Sequence, residues 1–561
     1  MRNSNVNILT RRSFLGHSAK VGIAAAIASL VDIPFVMKRA LAEGTIGLNG
    51  KKVLFIWLRG ANDCLNSVIP AGDAQYGTGI RPTLAVTAGT AWQSNTGGAE
   101  FIPSGAGATF GTTALGLGNG YAALHPMLKF LAPVYNDGEL ALIHRVAYPK
   151  LSRSHFDSQR YWENGMPNNN LIKDGIFYRT IIESGLANTA PLTGVSIQSS
   201  LPLILRGSDA AMTNLSDPTR YNLLGIPTPA GDAKADAALA AAGGYPFPSK
   251  LNRNLLSLQY GNLQSTLSLF DAMDFGEYPS SNGPGNYYQD NVKTDGDATW
   301  TAPASTFGDS SKGYFLFPTT NDKNGGWRRP DNSTVGNKYV VDPSHESFFA
   351  NLKAAAMVLN NTDAIIAGTE IGGFDTHANQ GQTTGSHPNL QRVIGWSMYA
   401  LKKYFTLYNN KATWNDVVVV TLSEFGRTTV ENNDKGTDHA ESGVMFVAGG
   451  PVNGYDLNTN RSGVFNCKDT EFSDPPSSTD FKNWLRATDS RSAMFGTTNG
   501  YLRRNTDYRS VLGEIIRKHL GATQNQLNNI IPAYATAGEH LLTAGVSSVD
   551  GTWVRGEVGI L

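Results

Sequence analysis

The sequence predicts an α/β fold in which a doubly wound, mostly parallel sheet is flanked by helices. The first observation is a set of short, mostly apolar runs at residues 53–58, 140–147, 364–367, 417–422 and 444–448. Such runs are typical of strands that are buried on both faces of a parallel sheet. The second observation is that helix-like segments lie between the runs. This alternation is the pattern of a doubly wound domain.

Two segments between the predicted strands have the apolar spacing of amphipathic helices. In the first, one face carries Phe348, Leu352, Ala356 and Leu359. In the second, the apolar positions are Leu390, Ile394, Leu401 and Phe405. Residues that recur every three or four positions lie on one side of a helix. We therefore expect both helices to pack on the sheet, although the sequence does not give the order of the strands.

The N-terminus is predicted to be a twin-arginine signal peptide spanning residues 1–42. Arg11 and Arg12 precede an uncharged apolar run at 21–31, and a small-residue cleavage site follows at 40–42. This order is that of a signal peptide. The run is shorter than the roughly 20 residues that span a bilayer, so no permanent membrane span is expected. The expected partner is the twin-arginine export machinery, and the expected location is periplasmic or extracellular.

Composition excludes some partners of the remaining chain, residues 43–561. Lysine plus arginine and aspartate plus glutamate are balanced at 46 each, and removal of the signal would leave an excess of acid. This balance argues against a nucleic-acid-binding surface. Cys64 and Cys467 are the two cysteines, and neither starts a Cys-x-x-Cys pair, so neither a disulfide framework nor a thiolate zinc site is expected.

The segment at about 271–344 is predicted to be an irregular or β-rich insertion in the sheet domain. It is rich in Gly, Asn, Asp, Ser and Pro and lacks helical spacing. It also carries aromatic residues, namely Tyr287, Tyr288, Trp300, Tyr314, Phe315, Phe317 and Trp327. A disordered linker would usually lack such residues. A covering lid and an inert surface insertion both remain open.

Polar residues that follow the predicted strands are the candidates for a functional site. In doubly wound folds the site lies beyond the carboxyl ends of the strands. The candidates at these ends are Asp63, Ser152, Ser154, His155, Asp375, His377, Glu424, Asp438 and His439.

Asp375 and His377 are two residues apart, and in extended backbone both side chains would point to the same side. Oxygen and nitrogen donors fit zinc, manganese or a mixed site better than calcium. The alternative is a surface turn in which the histidine caps a neighbouring carbonyl.

Glu424 ends an apolar strand, and Asp438 and His439 lie in the following polar loop. A buried carboxylate needs a cation or hydrogen-bond donors nearby. Arg427 could supply this as an ordinary ion pair. Three Asp/Glu/His clusters in a chain with ten histidines favour a divalent metal instead.

Ser152 and Ser154 lie where a helix is predicted to begin. A hydroxyl at this position could be a nucleophile that a metal activates, or it could cap the helix. Anions are favoured at such a helix end. Ser152, Ser154 and His155 are therefore the candidate catalytic residues.

The strand-end motifs together resemble those of the domain-of-unknown-function 1501 family. They are Leu58-Arg-Gly-Ala-Asn-Asp63, Ala123-Leu-His-Pro126, Ser152-Arg-Ser-His-Phe156 with Gln159 and Trp162, Gly373-Phe-Asp-Thr-His-Ala-Asn379, Glu424-Phe-Gly-Arg-Thr428 and Gly436-Thr-Asp-His439. The resemblance runs from about residue 52 to 521. This family of exported bacterial proteins is placed in the alkaline phosphatase and sulfatase superfamily, so the resemblance implies an alkaline phosphatase-like domain.

The resemblance also implies a two-metal site that holds a phosphate or sulfate ester. By motif, Asp63 would bind one metal beside Ser154 or Ser152, and Asp375, His377 and His439 would bind the other. Glu424 would stand where phosphatases have an Asp-His pair. Phe425 departs from that pattern because it occupies the position of the histidine.

Two functions follow as expectations. The first is an exported, metal-dependent hydrolase of phosphate or sulfate esters, motivated by the strand-end carboxylates and histidines. The second is a non-catalytic exported protein that uses the same fold to bind a glycan or a partner, motivated by the incomplete metal set and by aromatic rings on which sugars could stack.

Overall fold

The structure is a computed structural model, and it describes most of the chain after residue 45. The described residues are 46–73, 76–91, 112–117, 122–186, 192–210, 212–216, 343–456, 458–459, 461–466, 501–502, 504–536 and 538–561, with single positions at 237, 241 and 317. The predicted signal peptide and nearly all of the predicted insertion lie outside these residues, as does Cys467.

A nine-stranded sheet forms the centre of the described structure. Its strands are β1 (Lys52–Leu58), β2 (Leu140–Ala147), β3 (Gly194–Ile197), β4 (Thr213–Leu215), β5 (Ile366–Ile371), β6 (Val417–Leu422), β7 (Gly443–Ala448), β8 (Val464–Phe465) and β9 (Thr506–Asp507). The spatial order is β8-β2-β7-β6-β1-β5-β3-β4, and β9 also pairs with β2. β1 lies parallel to both β5 and β6. The predicted mixed α/β fold with a large, mostly parallel sheet is confirmed.

Two predicted strands differ in detail from those observed. β7 runs antiparallel to both β6 and β2, whereas the sequence suggested a parallel strand. The chain between β6 and β7 contains no helix that crosses to the opposite end of the strands. β7 therefore begins at the end of the sheet where β6 stops, and it runs back beside β6. β5 extends past the apolar run at 364–367 to Ile371, because it pairs with β1 as far as Leu58. Its polar side chains have partners, since Thr369 donates to the Ile197 carbonyl and Glu370 pairs with Arg59.

Helices cover both faces of the sheet. They are α1 (Ala132–Asn136), α2 (His155–Asn164), α3 (Ile176–Ser184), α4 (Glu346–Asn361), α5 (Ser386–Leu407), α6 (Tyr508–Glu514), which a π-helical turn at Ile515–His519 continues, and α7 (Gln524–Ile530). Short 3-10 helices lie at Cys64–Asn66, Pro126–Leu131, Leu203–Leu205, Pro343–His345 and Trp414–Asp416. The two predicted amphipathic helices correspond to α4 and α5, and their predicted apolar residues are buried.

Alternation along β1 separates the hydrophobic core into two halves. Leu54, Ile56 and Leu58 belong to the half that packs against α4 and α5. Val53, Phe55 and Trp57 belong to the half that packs against α2, α3, α6 and α7. Successive side chains of a strand point to opposite faces, so a fully apolar strand must be covered on both. This explains why residues 53–58 of β1 are an uninterrupted apolar run.

Smaller elements lie around this core. Short strands at Val68–Ile69, Ala88–Ala91, Ala114–Gly116 and Ala123–Leu124 form a four-stranded sheet, and two further ribbons pair Tyr455–Asp456 with Arg461–Ser462 and Thr543–Val546 with Trp553–Gly556. Phe317, which belongs to the predicted insertion, is buried against Tyr404 of α5. None of the described helices is long and apolar enough to cross a membrane.

The direction of the strands brings several loops to one edge of the sheet, namely the edge at which the parallel strands have their carboxyl ends. β1, β2, β5 and β6 end at this edge, and β7 begins there because it is antiparallel. The loops at this edge carry Asp63, the 152–155 segment, Asp375, His377, Glu424, Asp438 and His439. The fold therefore places every predicted site residue at the same end of the sheet.

Candidate metal centre

Three imidazoles and one carboxylate meet above the sheet edge. His439 Nε2 lies 2.9 Å from His155 Nε2 and 2.9 Å from His377 Nε2. Asp375 Oδ1 lies 3.0 Å from His377 Nε2, 3.3 Å from His439 Nε2 and 3.5 Å from His155 Nε2. The four atoms belong to the start of α2, which follows β2, and to the loops that follow β5 and β6. We call these four residues the histidine cluster.

The outer nitrogen of each imidazole faces an oxygen that accepts a hydrogen bond. The pairs are His155 Nδ1 with Glu424 Oε1 at 2.8 Å, His377 Nδ1 with Asp438 Oδ1 at 2.9 Å and His439 Nδ1 with the Arg153 carbonyl at 2.9 Å. A carbonyl or an ionised carboxylate cannot donate, so each Nδ1 must carry the proton. In the neutral imidazoles each Nε2 then presents a lone pair to the centre of the cluster.

Four electron-pair donors that face one another need a cation or protons between them. The arrangement in which Nδ1 binds a carboxylate or carbonyl while Nε2 points inward is the one found around histidine-bound metals. Nitrogen and carboxylate donors suit zinc and related transition metals. The donor atoms of His155, Asp375 and His439 all lie within 4.8 Å of one another, a spacing that one ion can bridge. The residues present therefore fit a divalent metal.

Solvent reaches the histidine cluster. The exposed fractions of the side chains are 23% for His155, 47% for Asp375, 43% for His377 and 26% for His439. Structural zinc sites are closed, whereas catalytic sites keep one position open for water or substrate. The exposure of these side chains leaves room for a further molecule beside the protein atoms.

Neighbouring groups set the protonation of the cluster. Burial opposes ionisation of Asp375, but the hydrogen bond and the charge of Arg427, together with the neighbouring imidazoles, outweigh burial and hold the pKa of the carboxyl at about 2. Burial lowers the pKa of His439, which favours its neutral, metal-binding form. The hydrogen bond to Glu424 raises the pKa of His155, so a proton competes for that imidazole. Asp375 is therefore a carboxylate and His439 a neutral imidazole at neutral pH.

Arg427 bonds to the loop that carries Asp375 and to the loop that carries His439. Its side chain is fully buried and lies 2.6 Å from Asp375 Oδ1. It also donates to the carbonyls of Gly60, Ala61, Phe374 and Thr437. The sequence suggested Arg427 as an ion-pair partner of Glu424, but the structure pairs it with Asp375. Because carbonyl oxygens surround the guanidinium, the charge of Arg427 is held in place below the cluster.

Glu424 and Asp438, which were predicted as metal ligands, lie outside the histidine cluster. Each accepts a hydrogen bond from an imidazole Nδ1 and so orients that ring. Glu424 Oε1 accepts from His155, from Gln159 Nε2 at 3.0 Å and from the Gly60 N–H at 2.9 Å. Burial alone would raise the pKa of Glu424, but the hydrogen bonds from His155 and Gln159 outweigh it and lower the pKa. His155, which was predicted as a catalytic residue, has its Nε2 within the histidine cluster, 2.9 Å from His439 Nε2.

Phe425 occupies the position where the family resemblance implies a histidine. It is 1% exposed and packs on two imidazoles, with ring centroids 4.8 Å from His155 and 4.9 Å from His439. An apolar ring in van der Waals contact restricts the imidazole orientations without offering a ligand atom. Phe425 therefore supports the cluster by packing.

Asp63 lies outside the histidine cluster, in a buried ion pair. Its oxygens lie 2.6 and 3.1 Å from the guanidinium of Arg81, and both side chains are fully buried. Asp63 also caps the turn at Cys64–Asn66 by accepting from the Leu65 N–H. Burial opposes its ionisation, but Arg81 outweighs burial and lowers the pKa of Asp63 to about 2. Both carboxylate oxygens are already engaged, which leaves little capacity for a metal.

The two candidate serines lie at the beginning of α2. Ser154 is the N-cap, and its hydroxyl accepts from the Asp157 N–H at 3.5 Å. The hydroxyl of Ser152 accepts from the Ser154 N–H at 3.2 Å. α2 begins at His155, so its positive end is directed toward the histidine cluster. The cap and nucleophile interpretations of Ser154 are compatible with this position.

Gly60 has a conformation and a position that a side chain would disturb. Its φ is +107°, and a Cβ there would lie 2.5 Å from the Asp375 backbone nitrogen. We expect Gly60→Ala to lower the free energy of unfolding by about 2–4 kcal/mol, because backbone strain and overpacking add. Gly50→Ala is the matched control, since Gly50 has φ +74° but no atom within 4 Å of a Cβ. Equal losses in urea denaturation would contradict the predicted contact with the Asp375 loop.

Several contributors to the site carry no local sequence signal. The Arg153 carbonyl acts through the backbone, so residue type does not reveal it. Arg81 is 18 positions from Asp63 and belongs to none of the strand-end motifs. Gly60 and Gln159 do occur in the motifs quoted for the family resemblance, but their contacts with Glu424 depend on the tertiary structure.

Comparison with protein families adds one finding. A family model described as "Protein of unknown function (DUF1501)" matches residues 330–457, which is less than a quarter of the chain. The match supports the resemblance to that family, and it covers Asp375, His377, Glu424 and His439 but not His155. No curated protein and no solved structure matches the chain.

Proposed function

We propose that this protein is an exported, metal-dependent hydrolase of phosphate or sulfate esters. The observation that carries the proposal is the convergence of three imidazole Nε2 atoms and Asp375 Oδ1, each imidazole with its Nδ1 proton bound elsewhere. A divalent ion such as zinc or manganese is the partner that this donor set favours. When bound, the metal supplies a Lewis acid that polarises an ester oxygen and activates a nucleophile.

The surroundings of the histidine cluster favour an anionic substrate. The ten-residue helix α2 begins at His155, and the N–H groups at the start of a helix attract phosphate and sulfate groups. Arg153, which precedes this helix, is exposed and lies over the ring of Tyr501, with 4.8 Å between guanidinium and ring centroid. The helix end and the arginine can hold the anionic group near the cluster.

The ester class itself rests on the family resemblance. The alkaline phosphatase and sulfatase superfamily uses two metals, whereas the contacts of Asp63 with Arg81 favour a single metal here. Export by the twin-arginine route, which the sequence motif at Arg11 and Arg12 supports, fits a protein that acquires its metal and substrate in the periplasm or outside the cell. The alkaline phosphatase-like fold is part of the same proposal.

The nucleophile is either a serine hydroxyl or water. Ser154 and Ser152 lie next to His155, and a serine nucleophile would give a covalent intermediate. Water that enters the open side of the cluster would act without one. The two possibilities predict different losses of activity when the serines are replaced.

The test is hydrolysis of an aryl phosphate and an aryl sulfate by the purified protein. We expect turnover that a chelator abolishes and that zinc or manganese restores. Ser154→Ala should reduce kcat by more than about 1000-fold if Ser154 is the nucleophile, and only a few-fold if it is a cap alone. Ser152→Ala distinguishes the second serine in the same assay. Metal binding without turnover of either ester would contradict the hydrolase and favour the binding function.

A further inference from the structure

We propose that Gln380 is a positioning residue that holds the two ligand-bearing loops at a fixed spacing through one buried amide. The first loop carries Asp375 and His377, and the second carries Asp438 and His439. The inference rests on the proposed metal site and deepens it, because it assigns the control of ligand geometry to a residue outside the ligand set.

The contacts of Gln380 reach both loops at once. Its side chain is fully buried, and its Oε1 accepts from Thr376 Oγ1 at 3.0 Å and from Thr437 Oγ1 at 2.7 Å. Thr376 lies between Asp375 and His377, and Thr437 immediately precedes Asp438. A single acceptor atom therefore joins the backbone segments that carry the ligands.

A third contact fixes the orientation of the Gln380 amide. Its Nε2 donates to Asp63 Oδ2 at 2.6 Å, and Arg81 holds Asp63 as a carboxylate. A carboxylate only accepts, so the amide NH₂ must face Asp63 and the amide oxygen must face the two threonines. The buried ion pair thereby determines which groups the oxygen can bind. This gives Asp63 a role at the site that does not require it to bind metal.

The backbones of the two loops are in direct contact, so their spacing depends on the hydrogen bonds that the Gln380 side chain makes to both. The Thr437 N–H donates to the Thr376 carbonyl at 3.2 Å, and the Gln380 N–H donates to the Lys435 carbonyl at 3.0 Å. A Cβ on Gly436 would lie 2.2 Å from the His377 carbonyl oxygen, so the loops are in direct contact. Small movements of either loop would change the separation of His377 Nε2 and His439 Nε2.

The first measurement is the affinity of the metal-depleted full-length protein for cobalt(II), followed by its visible absorption. We expect Gln380→Met to weaken cobalt binding by about 10–100-fold, the loss typical when an outer hydrogen-bond partner of a metal site is removed. Gln391→Met is the matched control. Gln391 is also fully buried, and it bonds Asn62 at 2.8 Å and His387 at 3.1 Å rather than the ligand loops. We expect this control to lose stability but to retain wild-type affinity.

A second measurement tests the inference without metal. In ¹⁵N–¹H spectra of the histidine side chains of the metal-free protein, Gln380→Met should broaden or shift the signals of His377 and His439, while Gln391→Met should leave them in place. Unchanged signals, or equal losses of cobalt affinity in both variants, would overturn the positioning role. A wild-type protein that binds no cobalt would contradict the proposed metal site instead, and the spectra would still decide the role of Gln380.

Discussion

His439→Ala is expected to abolish binding of divalent metal and, with it, ester hydrolysis. His439 Nε2 lies within 3.3 Å of three other cluster atoms, on His155, His377 and Asp375, so its loss removes the donor that they share. Loss of an outer hydrogen-bond partner alone typically costs about 10–100-fold in affinity, and loss of a ligand should cost more. Elemental mass spectrometry of the purified variant measures the metal content, and Asp375→Ala should behave in the same way.

His345→Ala is the control for this substitution. His345 is also partly exposed, but it lies just before α4, outside the histidine cluster. It should retain the metal content and activity of the wild type. Full metal occupancy in His439→Ala would show that the cluster is not the metal site, and the proposed hydrolase mechanism would fail with it.

Arg81→Met is expected to lower the free energy of unfolding by about 3–5 kcal/mol, which is the usual cost of leaving a buried charge without its partner. Arg81 is fully buried and donates to Asp63, to Asn66 Oδ1 at 2.8 Å and to the carbonyls of Thr428 and Thr429. The methionine fills the space of the arginine stem but supplies no donor. Urea denaturation at pH 7 measures the loss.

Lys51→Met is the matched control, because Lys51 forms an ion pair of similar length with Asp416, at 2.9 Å, near the surface. The two side chains of that pair are 29% and 30% exposed, so solvent screening should limit the loss to about 1 kcal/mol or less. A similar loss in both variants would mean that burial does not control the strength of the Arg81–Asp63 pair.

The Arg81 variant should also differ from the wild type in its dependence on pH. The folded protein holds the pKa of Asp63 at about 2, below the ordinary value of 3.8, so this carboxylate stabilises the wild type above about pH 4 and loses that effect as the pH falls toward 2. Without Arg81, burial raises the pKa of Asp63 instead. The ionised carboxylate then destabilises the variant. The difference in stability between the two proteins should therefore shrink as the pH falls from 7 to 3.

Much of the candidate site could be recognised from residue types at strand ends. Asp375, His377 and His439 were predicted as metal ligands, and the structure brings their donor atoms together. These residues were singled out because ligands of doubly wound folds bind beyond the carboxyl ends of the strands. Asp63 satisfies the same pattern, yet its partner is Arg81. A position just after a strand does not distinguish a carboxylate that could bind a metal from one that belongs to a buried ion pair.

The sequence by itself determined the parts of this protein that follow local periodicity. Apolar runs located β1, β2 and β6, and apolar stripes located α4 and α5, because burial on one or two faces imposes a repeat that is visible along the chain.

Only the tertiary structure decided the strand order, the antiparallel direction of β7 and which polar residues form the histidine cluster and which hold its imidazoles from outside. Glu424 and Asp438 orient imidazoles, and Gln380 joins two loops, through contacts between residues that are distant in sequence. The partner of a buried polar group is whichever donor or acceptor the fold brings within about 3 Å of it, and that distance is set by packing rather than by neighbouring residues.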